Sequence, residues 1–402
     1  MNNTDVITNN DASNDLTNGD SISNVAKKDD YVNSKKSFVS FCSLGLSGIL
    51  IFTLLPLLLG TISTTLNLTP VQAGSTGSIY FAGYTLVALT SFIRFNRVNW
   101  KNTALFGYAL TTVALLIASI FENYNSVLIT MALLGFAGAI FYATSLGIVA
   151  KTNDVDRNYA LKIAPEQLIP AIFVAILPWL IIEKWGMIGL LISILIIYLT
   201  IGLTSPWIVK NTPIKEAIDW KAIAKNKQGL LSLLSLLISF SGFIGLWAFM
   251  EIIAREYHFS EDSSALIIMA SLVISGLTPL CSGLIGDRFG RTKPLVFALI
   301  MLILSFMLLF LDVSIVTFSA FFLIMIGSYY FMLPYIYAVI ADASGDLVVL
   351  ISAALAIGSM FGTYFFGLLM EYYGLNTAYA ISLALIIIGL LLTIKIERVN
   401  IS

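Results

Sequence analysis

The feature that most constrains this chain is a succession of apolar runs, each about 18–27 residues long and broken by charged or turn residues. About 20 apolar residues in a helix cross the ~30 Å hydrocarbon core of a bilayer. Inside lipid the backbone must satisfy its hydrogen bonds within its own segment, so helices are the expected element. Twelve runs qualify, near residues 37–62, 73–95, 102–121, 125–150, 156–182 and 185–209, then 228–254, 263–286, 293–311, 313–341, 346–370 and 374–395. Composition agrees: 58% of the 402 residues are apolar and 11% charged, against about 25% charged in an ordinary soluble domain. A soluble enzyme or nucleic-acid binder of this size could not hide so much apolar surface. The net charge of −1 points to no partner, and the two cysteines, Cys42 and Cys281, lie in apolar runs and imply no disulfide framework. One histidine, His258, rules out a histidine-rich metal site, and no cofactor is expected.

Residues 1–36 are rich in Asn, Asp, Ser and Thr and are expected to form a disordered cytoplasmic tail. The apolar run that follows, Ser37–Ile62, is too long for the core of a cleaved signal peptide. The longest polar interruption between runs, 210–227, is expected to be a cytoplasmic loop joining an N-terminal six-helix bundle (37–209) to a C-terminal one (228–395), with a short cytoplasmic tail at 396–402. With the N-terminus inside, 20 of the 22 Lys and Arg fall on inner segments, and only Lys184 and Arg255 fall outside. By the positive-inside rule both termini are cytoplasmic. The halves also resemble one another. Glu183-Lys184-Trp185-Gly186 is matched by Glu371-Tyr372-Tyr373-Gly374, 188 residues later, and Asn96-Arg97-Val98-Asn99 by Asp287-Arg288-Phe289-Gly290, 191 later. Duplicated halves with a solute site between them are common in secondary transporters.

The loop between runs eight and nine reads Gly283-Leu284-Ile285-Gly286-Asp287-Arg288-Phe289-Gly290-Arg291. A short loop that reverses two helices needs a residue free to take positive φ, which Gly290 supplies. Asp287 suits the positive N-terminal end of a neighbouring helix. On this motif and the twelve runs, the chain over about 37–395 resembles the major facilitator superfamily. The resemblance implies an all-α polytopic membrane protein of two pseudo-symmetric six-helix bundles that works by alternating access. It also implies that Gly283, Asp287, Arg288, Gly290 and Arg291 form a conformational latch, with Asp287 near Arg157 and Asn158. The first-half copy departs from the pattern: Phe92, Asn96 and Asn99 stand at its Gly, Asp and Gly positions. The Gly- and Pro-rich fifth span of drug–proton antiporters and the Pro-Glu-Ser-Pro-Arg-like stretch of sugar porters are both missing, and no phosphate-binding loop supports ATP-driven pumping.

Ionisable residues within spans are costly and tend to be functional. Leu168–Ile182 is too short to cross a bilayer, so the fifth helix must start near 156–158. Glu166 and Gln167 then lie inside the membrane, where a carboxylate suits proton loading and release. The competing reading is that Pro165-Glu166 merely opens a helix. Glu251 and Arg255, four apart near the outer end of run seven, are a second proton-coupling candidate and an anion-attracting cation, or else a rim ion pair. Tyr329 and Tyr330 sit at mid-membrane depth, where hydroxyls need partners. With Tyr142, Trp247, Gln167 and Arg255 they complete the substrate-binding candidates. So thin a polar inventory fits a small, partly apolar solute such as a monocarboxylate or aromatic acid.

The expected function is therefore proton-coupled symport of a small organic solute in a plasma membrane of the bacterial inner-membrane type. The partners would be the solute, a coupling H+ and the bilayer, with no nucleic acid, and the carrier would act as a monomer. Two alternatives stand beside it: efflux of lipophilic compounds, and a transport-inactive sensor or scaffold. No cluster of His, Cys or paired carboxylates shares one depth, so no enzyme is expected.

Overall fold

A computed structural model describes residues 31–401 apart from 95–97, 210–224, 287, 311, 344–346 and 348–349. Most of the polar N-terminal tail and of the central loop therefore lie outside the described residues. Among the described residues every regular element is helical. Span one is Lys35–Thr53 and Leu55–Leu66, jointed at Leu54; spans two, three and four are Pro70–Arg94, Trp100–Ile120 and Tyr124–Val149. Span five is Val155–Leu177, continued by a π-helical turn at Pro178–Ile182, and span six is Glu183–Gly202. Span seven is Lys227–Ala248 and Met250–Glu256, jointed at Phe249. Spans eight to twelve are Glu261–Ile285, Thr292–Met307, Ile315–Ala343, Ile351–Tyr373 and Leu375–Ile401. Among the described residues ten stretches are long and apolar enough to cross a membrane, and one of these, Leu161–Trp207, covers spans five and six together. Span two, rich in Ser, Thr and Gly, is not among them; it packs between spans four and eleven.

The sequence starts these helices in a consistent way. Ser34, Asn99, Asn123, Asp154, Asn226 and Ser260 each precede a span and accept a hydrogen bond from a backbone N–H three residues on. Each such cap is worth about 1 kcal/mol. Asn99 thus caps span three at the position where the loop pattern has Gly. Hydroxyls inside the bundle fold back on their own helix, as Thr61 does on the Leu57 carbonyl and Thr363 on that of Ser359. That satisfies a donor where no water is available.

Successive spans run in opposite senses, which gives the molecule an end that holds the chain termini and a far end. The repeat is visible in the backbone. Gly186 (φ 54°), at a kink in the first turn of span six, and Gly374 (φ 84°), between spans eleven and twelve, lie 188 residues apart and both take positive φ. Spans one and seven, equivalent by the repeat, are both jointed short of their far ends.

The structure decides between the two readings of span five and corrects two other expectations. Span five starts at Val155, so Pro165 and Glu166 lie within it and do not open it. Span twelve continues through 396–401, where a free tail was expected, and buries Ile396 and Glu397. Lys162, counted among the cytoplasmic loop cations, is instead 1% exposed inside span five. It belongs to the interior, not to the loop charge that sets orientation.

Candidate functional site

Besides the packing of span five on span eight, the two halves meet toward the far end. There the short helix Met250–Glu256 of span seven packs on Leu55–Leu66 of span one, and span eleven packs along span two. Pro56 has no N–H, so the Phe52 carbonyl of span one lacks its usual intrahelical donor; the Trp247 indole of the other half donates to it at 3.2 Å. Arg255 donates to the Gly60 carbonyl at 3.1 Å. Glu251 presses its side chain into the notch that Gly60 leaves and lies 3.8 Å from the Arg255 guanidinium. On the other side, Glu371 of span eleven accepts from the Val71 N–H at 2.8 Å, capping the first turn of span two from across the interface. Gly74 brings span two against the Thr363 backbone of span eleven; a Cβ there would lie 2.6 Å from that carbonyl oxygen.

Toward the terminal end the halves part around a cavity of about 350 Å³. Its N-half wall carries Phe52, Tyr80, Phe81, Tyr84 and Tyr142 with Glu166 and Gln167; its C-half wall carries Phe240, Ser275, Tyr330, Tyr337, Ser352 and Ser359 with Pro279 and Pro334. Aromatic faces and a few hydroxyls thus surround one carboxylate. Gln167 accepts from the Ser275 hydroxyl at 3.1 Å, so one of the few polar contacts in the wall already joins the two halves.

Glu166 is 2% exposed and is paired with Lys162 one turn earlier. The Lys162 ammonium lies 4.2 Å from the centre of the Tyr142 ring, a cation–π distance. Gly45 of span one makes room for the pair: a Cβ there would collide with the Glu166 carboxylate and lie 2.7 Å from Lys162 Cε. Two opposite charges are held here at low dielectric by one i,i+4 helical step, one ring and one missing side chain. Such a pair contributes little net stability, but removing either partner leaves a buried charge and costs about 3–5 kcal/mol.

The structure sorts the residues singled out in the sequence. Glu166, Gln167, Tyr142 and Tyr330 meet at the cavity. Tyr329 does not: it is fully buried, hydrogen-bonded to Ser239 at 3.0 Å and stacked on Phe243 at 4.3 Å within the C half. Trp247, Glu251 and Arg255 lie in the far-end seal. In the signature loop, Gly290 has φ 67° and Asp287 lies outside the described residues, so its expected approach to Arg157 and Asn158 does too. Arg291 is ion-paired with Asp342 and lies 3.8 Å from Glu397, tying the loop to the terminal ends of spans ten and twelve. Lys162 is the side chain beside Glu166 that sequence reasoning placed elsewhere. The i,i+4 spacing to Glu166 was the available signal, masked by counting the lysine as a loop cation.

Comparisons with known proteins bear on this arrangement. The family model described as Major Facilitator Superfamily matches residues 231–401. The crystal structure of a mutant of the nucleoside transporter NupG is similar in fold, with a TM-score of 0.70, 12% sequence identity and coverage of 90% of this chain and 100% of that one. No curated protein matches by sequence.

Proposed function

We propose that this chain, which belongs to the major facilitator superfamily of transporters, carries a small, partly apolar organic solute together with a proton by alternating access. The observation that carries the reading is Glu166, the one carboxylate among the described residues lining an aromatic cavity between two halves that are joined on its far side. A cavity of this size suits a drug-like or smaller molecule. Tyr and Phe faces suit a planar or apolar body, and Glu166 is the group placed to exchange a proton as solute enters or leaves. The distribution of Lys and Arg supports cytoplasmic termini in a bacterial-type plasma membrane, which makes the state described here the inward-facing one. Tyr142, Tyr330 and Gln167 are assigned to the solute. Glu251, Arg255 and Trp247 are assigned to closing the outer side, with Glu251 as the second candidate for proton binding there, and the 283–291 loop to closing the inner one.

The test is reconstitution in liposomes. Uptake is measured for a panel of labelled aromatic monocarboxylates, aliphatic monocarboxylates and nucleosides, with and without a pH gradient, and protein-free liposomes give the passive baseline. The reading expects at least one class to accumulate against its gradient only when the pH gradient is imposed. Glu166→Gln should still exchange that solute across the membrane yet fail to accumulate it. Unchanged gradient-driven accumulation in Glu166→Gln removes the proton role from this residue. Protection of a drug-sensitive strain, with no uptake in the panel, favours export of lipophilic compounds, the reading that the apolar walls also suit.

A further inference from the structure

Resting on the carrier reading, we infer that Lys162 is the solute-recognising cation: it pairs with Glu166 in the empty carrier and is handed to the carboxylate of a monoanionic solute when Glu166 takes up a proton. Among the described residues that line the cavity, Glu166 is the one that carries a charge, and those of the C half bring none to it. Lys162 lies behind that wall, buried to 1% exposure and held by Glu166. The empty site is therefore neutral. Protonating Glu166 without solute leaves a lone buried ammonium; admitting an anion without a proton leaves net −1. Either is costly at low dielectric. Adding one proton and one monoanion restores neutrality: the Glu166–Lys162 ion pair breaks, water supplies H+ to the Glu166 carboxylate, and the ammonium pairs with the solute carboxylate. The two loads are coupled by charge balance, and the cycle moves no net charge.

The geometry fits that exchange. Glu166 reaches the cavity and Lys162 does not, so an arriving carboxylate meets the ammonium only where the Glu166 carboxylate has let go. Tyr142 keeps its face on Lys162 at 4.2 Å during the swap while also lining the cavity. Among the described residues, Cys42 from span one and Tyr84 from span two lie near the pair, and Tyr330 and Tyr337 from span ten line the same cavity. They are neutral side chains that compete for neither charge. The aromatic walls take the body of the solute, which defines the class as an apolar or aromatic monocarboxylate.

The experiment uses purified full-length protein, with benzoate and its neutral isostere benzamide as probes, read by tryptophan fluorescence and thermal shift between pH 5.5 and 8. In wild type, benzoate should bind with a Kd that rises about tenfold per pH unit on the alkaline side of the Glu166 titration, because one proton must be bound first. Glu166→Gln should bind benzoate with a Kd independent of pH. Lys162→Gln should lose benzoate binding. So should the double variant Lys162→Gln/Glu166→Gln, which carries no buried charge and reports on the site even if the single variant folds poorly. Benzamide should bind weakly and without pH dependence throughout. Benzoate binding retained in the double variant, pH-independent binding in wild type, or equal affinity for benzamide would overturn the assignment. The carrier reading fails separately: binding as described with no uptake by liposomes sinks transport and keeps the site. Gradient-driven uptake of a neutral solute without benzoate binding does the reverse.

Discussion

At Glu166 and Tyr329 the same kind of sequence signal, a polar group at mid-membrane depth, has two outcomes. Tyr329 spends its hydroxyl on Ser239 and its ring on Phe243. Tyr329→Phe should cost about 1 kcal/mol, the usual net worth of one hydrogen bond, and leave transport kinetics unchanged. Its neighbour Tyr330 lines the cavity; Tyr330→Ala should raise KM for the transported solute with little loss of melting temperature. The two melting curves and the two KM values decide this together. Gly45→Ala is a sharper case. The three atoms nearest its Cβ would be side-chain atoms of Lys162 and Glu166, so the helices can stay in place while the pair is pushed aside. A loss of gradient-driven uptake out of proportion to any drop in melting temperature is the expected result. Depth and chemical type were legible in the sequence; which face of the helix each tyrosine presents was not, because both flanks of span ten are apolar and give no moment to read.

Among the elements, contact is closest where side chains vanish. Spans two and four approach backbone to backbone: a Cβ on Gly135 would collide with the Tyr80 carbonyl, and one on Gly83 with that of Ala132. Backbone cannot rotate away, so Gly135→Leu should destabilise by about 3 kcal/mol or more, at or above the top of the usual range for overpacking, seen as a large drop in detergent melting temperature. The twelve spans and the division into halves could be read from apolar length and polar breaks, because bilayer thickness fixes the first and charge the second. The joints at Leu54 and Phe249 could not. Pro56 hints at the first. The partner of the freed Phe52 carbonyl, Trp247, is 195 residues away, and only the packed halves bring it there.

On the scale of the whole molecule, the far-end contacts form a seam that must open if the cavity is to face the other side. Glu371 holds it across the two halves by capping span two. Glu371→Ala should remove about 1 kcal/mol from the closed seam and shift the population toward far-end opening. A longer component should then appear in the distance distribution between spin labels at Asn67 and Tyr372, both exposed there; an unchanged distribution would deny the cap that part. The central claim, that the halves alternate about the cavity, is tested most directly by locking the seam. With Cys42 and Cys281 replaced by serine, Val71→Cys and Glu371→Cys are joined by a short reducible cross-linker, and exchange is followed in liposomes, with each single cysteine as control. Alternation predicts that cross-linking stops exchange and that reductant restores it. Exchange that continues undiminished through a locked seam would contradict it.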